Sequence, residues 1–94
     1  MLRDPAPPMD KDDEKLAWRL LEAMYQMGRA DLGPTPETLG TWLNAPGARV
    51  QELLARLDAQ GLVDQARCRL TMSGLVLAVS MDGACKLARH LAAA

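Results

Sequence analysis

The sequence has few aromatic residues and few side chains that bind metals. Its 94 residues include two Trp, one Tyr and no Phe. Leu, Ala, Met and Val must therefore form the hydrophobic core, a composition that suits helices better than strands. The two cysteines are far apart in the chain, and there is a single histidine. Because a zinc site needs several closely arranged ligands, we expect no metal, no cofactor and two free thiols in a reducing compartment.

Sequence motifs of enzymes and of membrane proteins are also missing. We find no Ser/His/Asp set, no paired carboxylates in an apolar setting and no glycine-rich phosphate-binding loop. His90 lies near the end of the chain between two unremarkable neighbours. The apolar run from Leu75 to Val79 is too short to cross a bilayer, and no signal peptide is recognisable. The sequence therefore predicts a non-enzymatic, soluble, cytoplasmic protein with one small domain.

Charge is almost balanced overall but unevenly distributed. Eleven basic and twelve acidic side chains give a formal net charge of −1, which limits non-specific affinity for DNA. The first fourteen residues contain five acids and two bases, so the rest of the chain carries nine bases and seven acids. We therefore expect the folded part of the protein to be mildly basic.

Three prolines and no periodicity predict a flexible arm over residues 1–11. A first helix follows, from Glu14 to about Met27, with Asp12 or Asp13 as its N-cap. Its apolar arc is wider than one buried face requires, so the extra residues lie under the arm or a loop, or they face a second subunit. Because aromatic residues are enriched at interfaces, we favour a homodimer. Its predicted interface residues are Trp18, Leu21, Tyr25, Leu87 and Leu91.

Capping residues predict two further helices. Thr35, which is followed by proline, is a candidate N-cap for a short helix over residues 36–43. A tight turn with a proline and a glycine leads to a third helix over residues 48–60, for which Gly61 is a candidate C-cap. After it, two short strands over residues 62–63 and 67–70 predict a minimal hairpin.

The run after the hairpin admits two structures. Thr71 can cap a helix, or the chain can turn at residues 73–74 and return as a strand over residues 75–79. We prefer a helix, a kink near residues 82–83 and a final helix over residues 84–93. This apolar C-terminal segment is a second candidate for dimerisation.

Residues 35–74 combine a helix, a tight turn, a second helix and a hairpin with two short motifs. Leu57-x-x-x-Gly61-Leu62-Val63 ends the third helix, and Leu70-Thr71-x-x-Gly74 follows the hairpin. This order resembles the winged helix-turn-helix of bacterial transcription regulators of the multiple-antibiotic-resistance and metal-dependent-repressor kinds. The resemblance implies a mainly helical fold, with a winged helix-turn-helix domain over residues 12–74 and a C-terminal helical extension over residues 75–94.

The resemblance also implies that the chain regulates transcription by binding double-stranded DNA, with the third helix in the major groove. On that helix an arginine can bind guanine, and Gln51 can bind adenine. Glu52 can accept a hydrogen bond from cytosine or orient an arginine. The candidate base-contacting residues are Arg49, Gln51, Glu52 and Arg56. Candidate contacts to the DNA backbone are Arg67 and Arg69 in the wing and Thr35, Thr38 and Thr41 near the second helix.

Three alternatives remain open. Arg49, Glu52 and Arg56 can instead form ion pairs on a solvated helix face. The domain can also be a winged-helix module that binds protein without DNA, because alanines at positions 48, 55 and 59 allow another helix to pack closely. An acidic surface around the two arginines would favour this module, and a basic stripe would favour DNA. Finally, Cys68 is either inert or made reactive by its arginine neighbours, which would lower its pKa.

Overall fold

The structure is a computed structural model that describes residues 11–92, apart from the side chains of His90 and Ala92. These residues form five helices and one two-stranded antiparallel sheet, so the mainly helical class is confirmed. The elements are α1 (Lys11–Arg29), α2 (Pro36–Leu43), α3 (Gly47–Ala59), β1 (Val63–Asp64), β2 (Arg69–Leu70), α4 (Met72–Val79) and α5 (Gly83–Ala92). In this part of the chain no helix is long and apolar enough to span a membrane. The predicted arm lies outside the described residues except for Lys11, which begins α1.

Helix α1 is the element against which the other helices pack. It contacts α2 and α3 as well as β2, α4 and α5, so neighbours of the same chain cover its wide apolar arc. Its buried residues are Ala17, Leu20, Leu21, Ala23, Met24 and Met27. The wide arc is therefore explained by the position of α1 among the four other helices. A helix that is apolar over most of its circumference is expected to be buried in this way.

This packing corrects the predicted dimer interface. Leu21 is fully buried, Leu87 is 1% exposed and Leu91 is buried in the same core. Trp18 packs against that core, and its ring lies beside Gly83 at the start of α5. The three leucines are therefore not available to a second subunit in this fold, and Trp18 is partly covered by its own chain. Tyr25 is half-buried.

The helix-turn-helix made by α2 and α3 forms as its capping residues predict. Thr35 is the N-cap of α2 and shares a capping box with Thr38, with proline at the first helical position. Asn44 ends α2 in the left-handed conformation, with φ 55°. The turn is close to α2, since a Cβ atom on Gly40 would lie 2.8 Å from the carbonyl oxygen of Ala45. Glycine at this position lets the two helices approach each other.

Helix α3 ends at Ala59, one residue earlier than predicted, with Gln60 as its C-cap, and the predicted C-cap Gly61 is the next residue. Gly61 has φ 74°, and its amide donates to the carbonyl of Asp58 at 2.9 Å. The amide of Leu62 donates to the carbonyl of Leu57 at 3.0 Å. These two bonds form a Schellman motif. The motif needs one residue in the left-handed conformation, which glycine adopts without steric cost.

The hairpin is shorter than predicted and displaced by one residue. Val63 pairs with Leu70 and Asp64 with Arg69, so that Arg67 and Cys68 lie in the turn instead of the second strand. Acidic side chains hold this turn, because the carboxylate of Asp58 accepts from the amide of Gln65 at 2.8 Å, and that of Asp64 accepts from the amide of Arg67 at 3.3 Å. These side-chain bonds replace ladder bonds that a longer strand would make.

The C-terminal segment forms two helices, which decides against the strand alternative. Thr71 caps α4 by accepting from the amide of Gly74. Instead of a kink, the chain leaves helical geometry at Ser80, which is extended, and α5 starts at Gly83. Both glycines are sites of close approach. A Cβ atom on Gly74 would overlap the carbonyl oxygen of Leu62, and one on Gly83 would lie 2.5 Å from the ring of Trp18.

Candidate nucleic-acid interface

The outer face of α3 is exposed along the length of this 13-residue helix. The inner face carries the buried residues Val50, Leu53, Leu54 and Leu57. The exposed positions on the remaining surface are Ala48, Gln51, Glu52, Ala55, Asp58 and Ala59. Helix α2 and strand β1 pack against α3. These contacts, together with its buried inner face, fix α3 on the core. The result is a rigid helix that presents a surface of mixed polar and small side chains.

Arg49, the first candidate base-contacting residue, is bound within the chain. Its guanidinium group forms an ion pair with the carboxylate of Asp13 on α1, and it lies 3.6 Å from the carboxylate oxygen of Glu52. The side chain of Arg49 is 34% exposed and that of Asp13 19%. Arg56, two turns further along and on the same side of α3, is half-buried. The helical ion pair predicted as an alternative for Arg49 and Glu52 is thus present, together with a contact from α1.

The contact with Asp13 corrects the expected charge of the folded part. The expected charge left out residues 1–14, but α1 begins at Lys11, so that Asp12, Asp13 and Glu14 lie in its first turn and neither Asp12 nor Asp13 precedes it as an N-cap. With these residues included, the described part of the chain carries ten basic and ten acidic side chains. Its formal charge is therefore zero instead of mildly basic, and part of the acidic charge lies beside α3.

The two candidate arginines of the hairpin occupy different surroundings. Arg67 lies in the hairpin turn, where its side chain is 75% exposed and lies 3.8 Å from the carboxylate of Asp64. Arg69 is exposed on β2 and lines a groove of about 500 Å³ with Tyr25, Arg29 and residues of the 28–34 loop. Arg67 therefore extends from the tip of the hairpin, whereas Arg69 faces the C-terminal end of α1.

The three candidate threonines make hydrogen bonds within α2. The hydroxyl group of Thr38 donates to the carbonyl of Thr35 at 3.0 Å, and that of Thr41 donates to the carbonyl of Glu37 at 3.1 Å. The hydroxyl of Thr35 accepts from the amide of Thr38. The bonds between Thr35 and Thr38 stabilise the start of the helix, and a phosphate contact by any of the three hydroxyl groups would have to exchange with its present bond.

A groove between α1 and the turn that joins α2 to α3 contains further cations. It has a volume of about 760 Å³, and its polar lining is Asp12, Lys15, Arg19, Asn44 and Arg49. The candidate site from the sequence left out Lys15 and Arg19, which are exposed on α1. Their spacing of four residues indicated one helix face, but the sequence had no signal that this face borders the start of α3.

Cys68 does not have the reactive environment that its arginine neighbours suggest. It is 8% exposed, and burial, with a smaller contribution from the negative charge of Glu37, raises the pKa of its thiol. Of the two alternatives for Cys68, this environment favours the inert thiol, because Cys68 is buried while Arg67 and Arg69 are exposed. Cys85, by contrast, is exposed on α5.

The described residues contain no group of three or more His, Cys, Asp or Glu side chains that could hold a metal ion. No family model matches the chain, and comparisons with curated proteins and with solved structures found no similar protein. The function must therefore be inferred from the geometry of the chain itself.

Proposed function

We propose that the chain is a small transcription regulator with a winged helix-turn-helix domain that binds double-stranded DNA. The observation that carries this proposal is the exposed outer face of α3, a rigid helix held by α2 on one side and followed directly by a hairpin. The major groove of B-DNA admits a single α-helix. In the proposed complex α3 enters this groove, and the turn of the hairpin approaches the neighbouring backbone.

The side chains on and beside α3 divide into base and phosphate contacts. Gln51, exposed in the N-terminal half of the helix, binds adenine through its amide group. Arg49 binds guanine after it exchanges the carboxylate of Asp13 for the base, and Glu52 orients that arginine. Lys15 and Arg19 contact phosphates beside the start of α3, and Arg67 contacts phosphates from the wing. Phosphate contacts fix the orientation of the protein, and the base contacts supply the sequence preference.

Salt-dependent binding tests this proposal. Fluorescence anisotropy of a labelled mixed-sequence duplex, titrated with protein at several salt concentrations, measures the slope of log affinity against log salt. We expect Lys15→Gln and Arg67→Gln each to reduce the slope by about 0.9, because each loses one phosphate contact. Arg89→Gln removes an exposed charge from α5 and serves as the matched control with an unchanged slope. An absence of binding at low salt would contradict the proposal.

A second candidate function is a module that binds another protein through α3. Two observations favour it: the neutralisation of Arg49 by acidic groups, and the alignment of Ala48, Ala55 and Ala59 on the exposed face, where a partner helix can approach closely. Ala55→Lys distinguishes the candidates because it adds a cation to that face. We expect this variant to bind DNA more tightly than the wild type if α3 enters the groove. If neither protein binds DNA at low salt, the interaction module is favoured.

A further inference from the structure

The segment from Leu70 to Met81 contains no charged residue, and most of it forms α4. This helix buries Gly74 and Leu77. Its opposite face carries large exposed apolar side chains, which we call the α4 stripe: Met72 (75% exposed), Leu75 (38%), Val76 (57%) and Val79 (55%), with the fully exposed Met81 beyond the end of the helix. The spacing of three and four residues places the helical members on one side of α4.

Such a stripe is uncommon on a protein that works alone. Contiguous exposed apolar patches of roughly 300–600 Å² are the largest that small monomeric proteins show, and they commonly mark contact sites. A helix that is apolar on all sides is normally buried on all sides. In this chain α1, β2 and α5 pack against α4 and leave the stripe exposed.

We propose that the α4 stripe binds the same stripe of a second copy of this chain, with the two α4 helices antiparallel about a twofold axis. The absence of charge between Leu70 and Met81 favours a second copy, since no like charges meet and no charged partner is recognised. The α4 stripe is also complementary in shape to a second α4 stripe that runs in the opposite direction. Met72, which is long, lies at one end and Val79, which is short, lies at the other, so an antiparallel arrangement places each Met72 against the partner's Val79.

The composition of the surface agrees with such a contact. Stable interfaces combine an apolar centre with a polar rim. The α4 stripe supplies the centre. Beside it lies a groove of about 350 Å³, lined in part by Met72, Val76, Ser80 and Lys86, which accepts side chains of the partner and continues the contact to α5.

This inference replaces the dimer surface predicted on α1 and α5, and it does not depend on DNA binding. Its test therefore uses the full chain without DNA. Sedimentation equilibrium is expected to give twice the chain mass for the wild type at micromolar concentration. Val76→Glu should raise the dissociation constant of the dimer by roughly a hundredfold or more, because two carboxylates would be buried near the axis without partners.

A matched control and a rescue complete the test. Trp42→Glu changes an equally exposed apolar residue on α2 (56%), and it should leave the dimer intact. Because both positions are exposed, circular dichroism and Tm should show a folded chain in each variant. A mixture of Val76→Glu and Val76→Lys should recover a dimer that neither variant forms alone, since residue 76 approaches its own copy near the axis.

Three outcomes would overturn the proposal. One is a wild-type monomer at the highest soluble concentration, and another is a dimer that Val76→Glu leaves unchanged. The third is a wild-type monomer whose α4 amide resonances shift when residues 1–10 are deleted, which would assign the stripe to the N-terminal segment of the same chain.

Discussion

The hydroxyl group of Thr71 donates a hydrogen bond to the carbonyl oxygen of Gly61 at 2.6 Å. The hydroxyl oxygen of Thr71 accepts from the amide of Gly74 at 3.1 Å, and the amide of Thr71 donates to the carbonyl of Leu62 at 3.1 Å. One residue thus joins the turn that ends α3 to the first turn of α4. This connection gives a physical reason for the spacing of the Gly-Leu-Val and Leu-Thr-x-x-Gly motifs, which meet at this point in the fold.

Replacement of Thr71 should destabilise the whole domain. Thr71→Val keeps the shape of the side chain but loses both hydroxyl bonds, so we expect the free energy of unfolding to fall by about 1–3 kcal/mol. Urea denaturation followed by circular dichroism measures this change. Thr41→Val is the control, because its exposed hydroxyl bonds to the carbonyl one turn earlier and its loss should change stability by less than about 0.5 kcal/mol. Equal effects in the two variants would contradict the joining role of Thr71.

The close approach at Gly74 predicts that even a methyl group cannot be accommodated there. A Cβ atom would overlap the carbonyl oxygen of Leu62, so Gly74→Ala must move α4 away from the end of α3. We expect a loss of about 1–3 kcal/mol or more in the free energy of unfolding. Gly28→Ala provides the comparison, since no atom lies within 4 Å of its Cβ position, and alanine should stabilise that helical site by up to about 1 kcal/mol. If Gly74→Ala raised the free energy of unfolding as Gly28→Ala does, in thermal or urea unfolding, the contact at Gly74 would not be restrictive.

Local signals in the sequence account for the elements that were predicted well. Thr35, Gly61 and Thr71 act on the amides and carbonyls of their own neighbours, so each cap can be recognised from a few residues. Helix α4 could be predicted for the same reason, because Thr71 caps it, although its apolar run is also compatible with a strand. What local signals leave open is which helix covers which face.

Contacts between distant segments account for the predictions that were wrong. Asp13 meets Arg49 across 36 positions of the sequence, and Trp18 lies beside Gly83 at an even greater separation. Neither approach has a signature in the residues near it. The acidic turn was therefore left out of the charge expected for the folded part, and the wide apolar arc of α1 was assigned to a second subunit, although the chain itself provides the partners of both.

The environment of Cys68 predicts that its thiol reacts slowly and that the free energy of unfolding falls at high pH. In a Cys85→Ser background, a disulfide reagent at pH 8 should modify Cys68 much more slowly than it modifies Cys85 in a Cys68→Ser background. The raised pKa of Cys68 also means that the unfolded chain loses this proton first. Its contribution to stability is therefore complete below the ordinary value of 9.0 and is lost as the pH rises through the folded pKa.

Unfolding by urea at a series of pH values measures this dependence. The chain with Cys68 should lose more stability between neutral pH and the region above pH 9.0 than Cys68→Ser, in which the titrating group is absent. Rapid modification of native Cys68, or equal pH profiles for the two proteins, would contradict a buried thiol in the hairpin.

The ion pair between Asp13 and Arg49 yields the prediction that separates the two candidate functions. Asp13→Asn removes an acid beside α3 and releases the guanidinium group, so a chain that binds DNA should bind more tightly, with a slope of log affinity against log salt that is steeper by about one. Glu22→Gln removes the same charge from an exposed position on α1 without the contact to Arg49, and it should have a smaller effect. Anisotropy titrations and urea unfolding of both variants provide the comparison.

If Asp13→Asn binds DNA more tightly and keeps its stability, the acidic turn of α1 limits the affinity of a DNA-binding helix. If neither the wild type nor Asp13→Asn binds DNA and the stability of the variant falls, Arg49 serves to attach α3 to α1. The exposed alanines of α3 then remain as the surface through which that helix acts, and a protein partner becomes the better explanation of its shape.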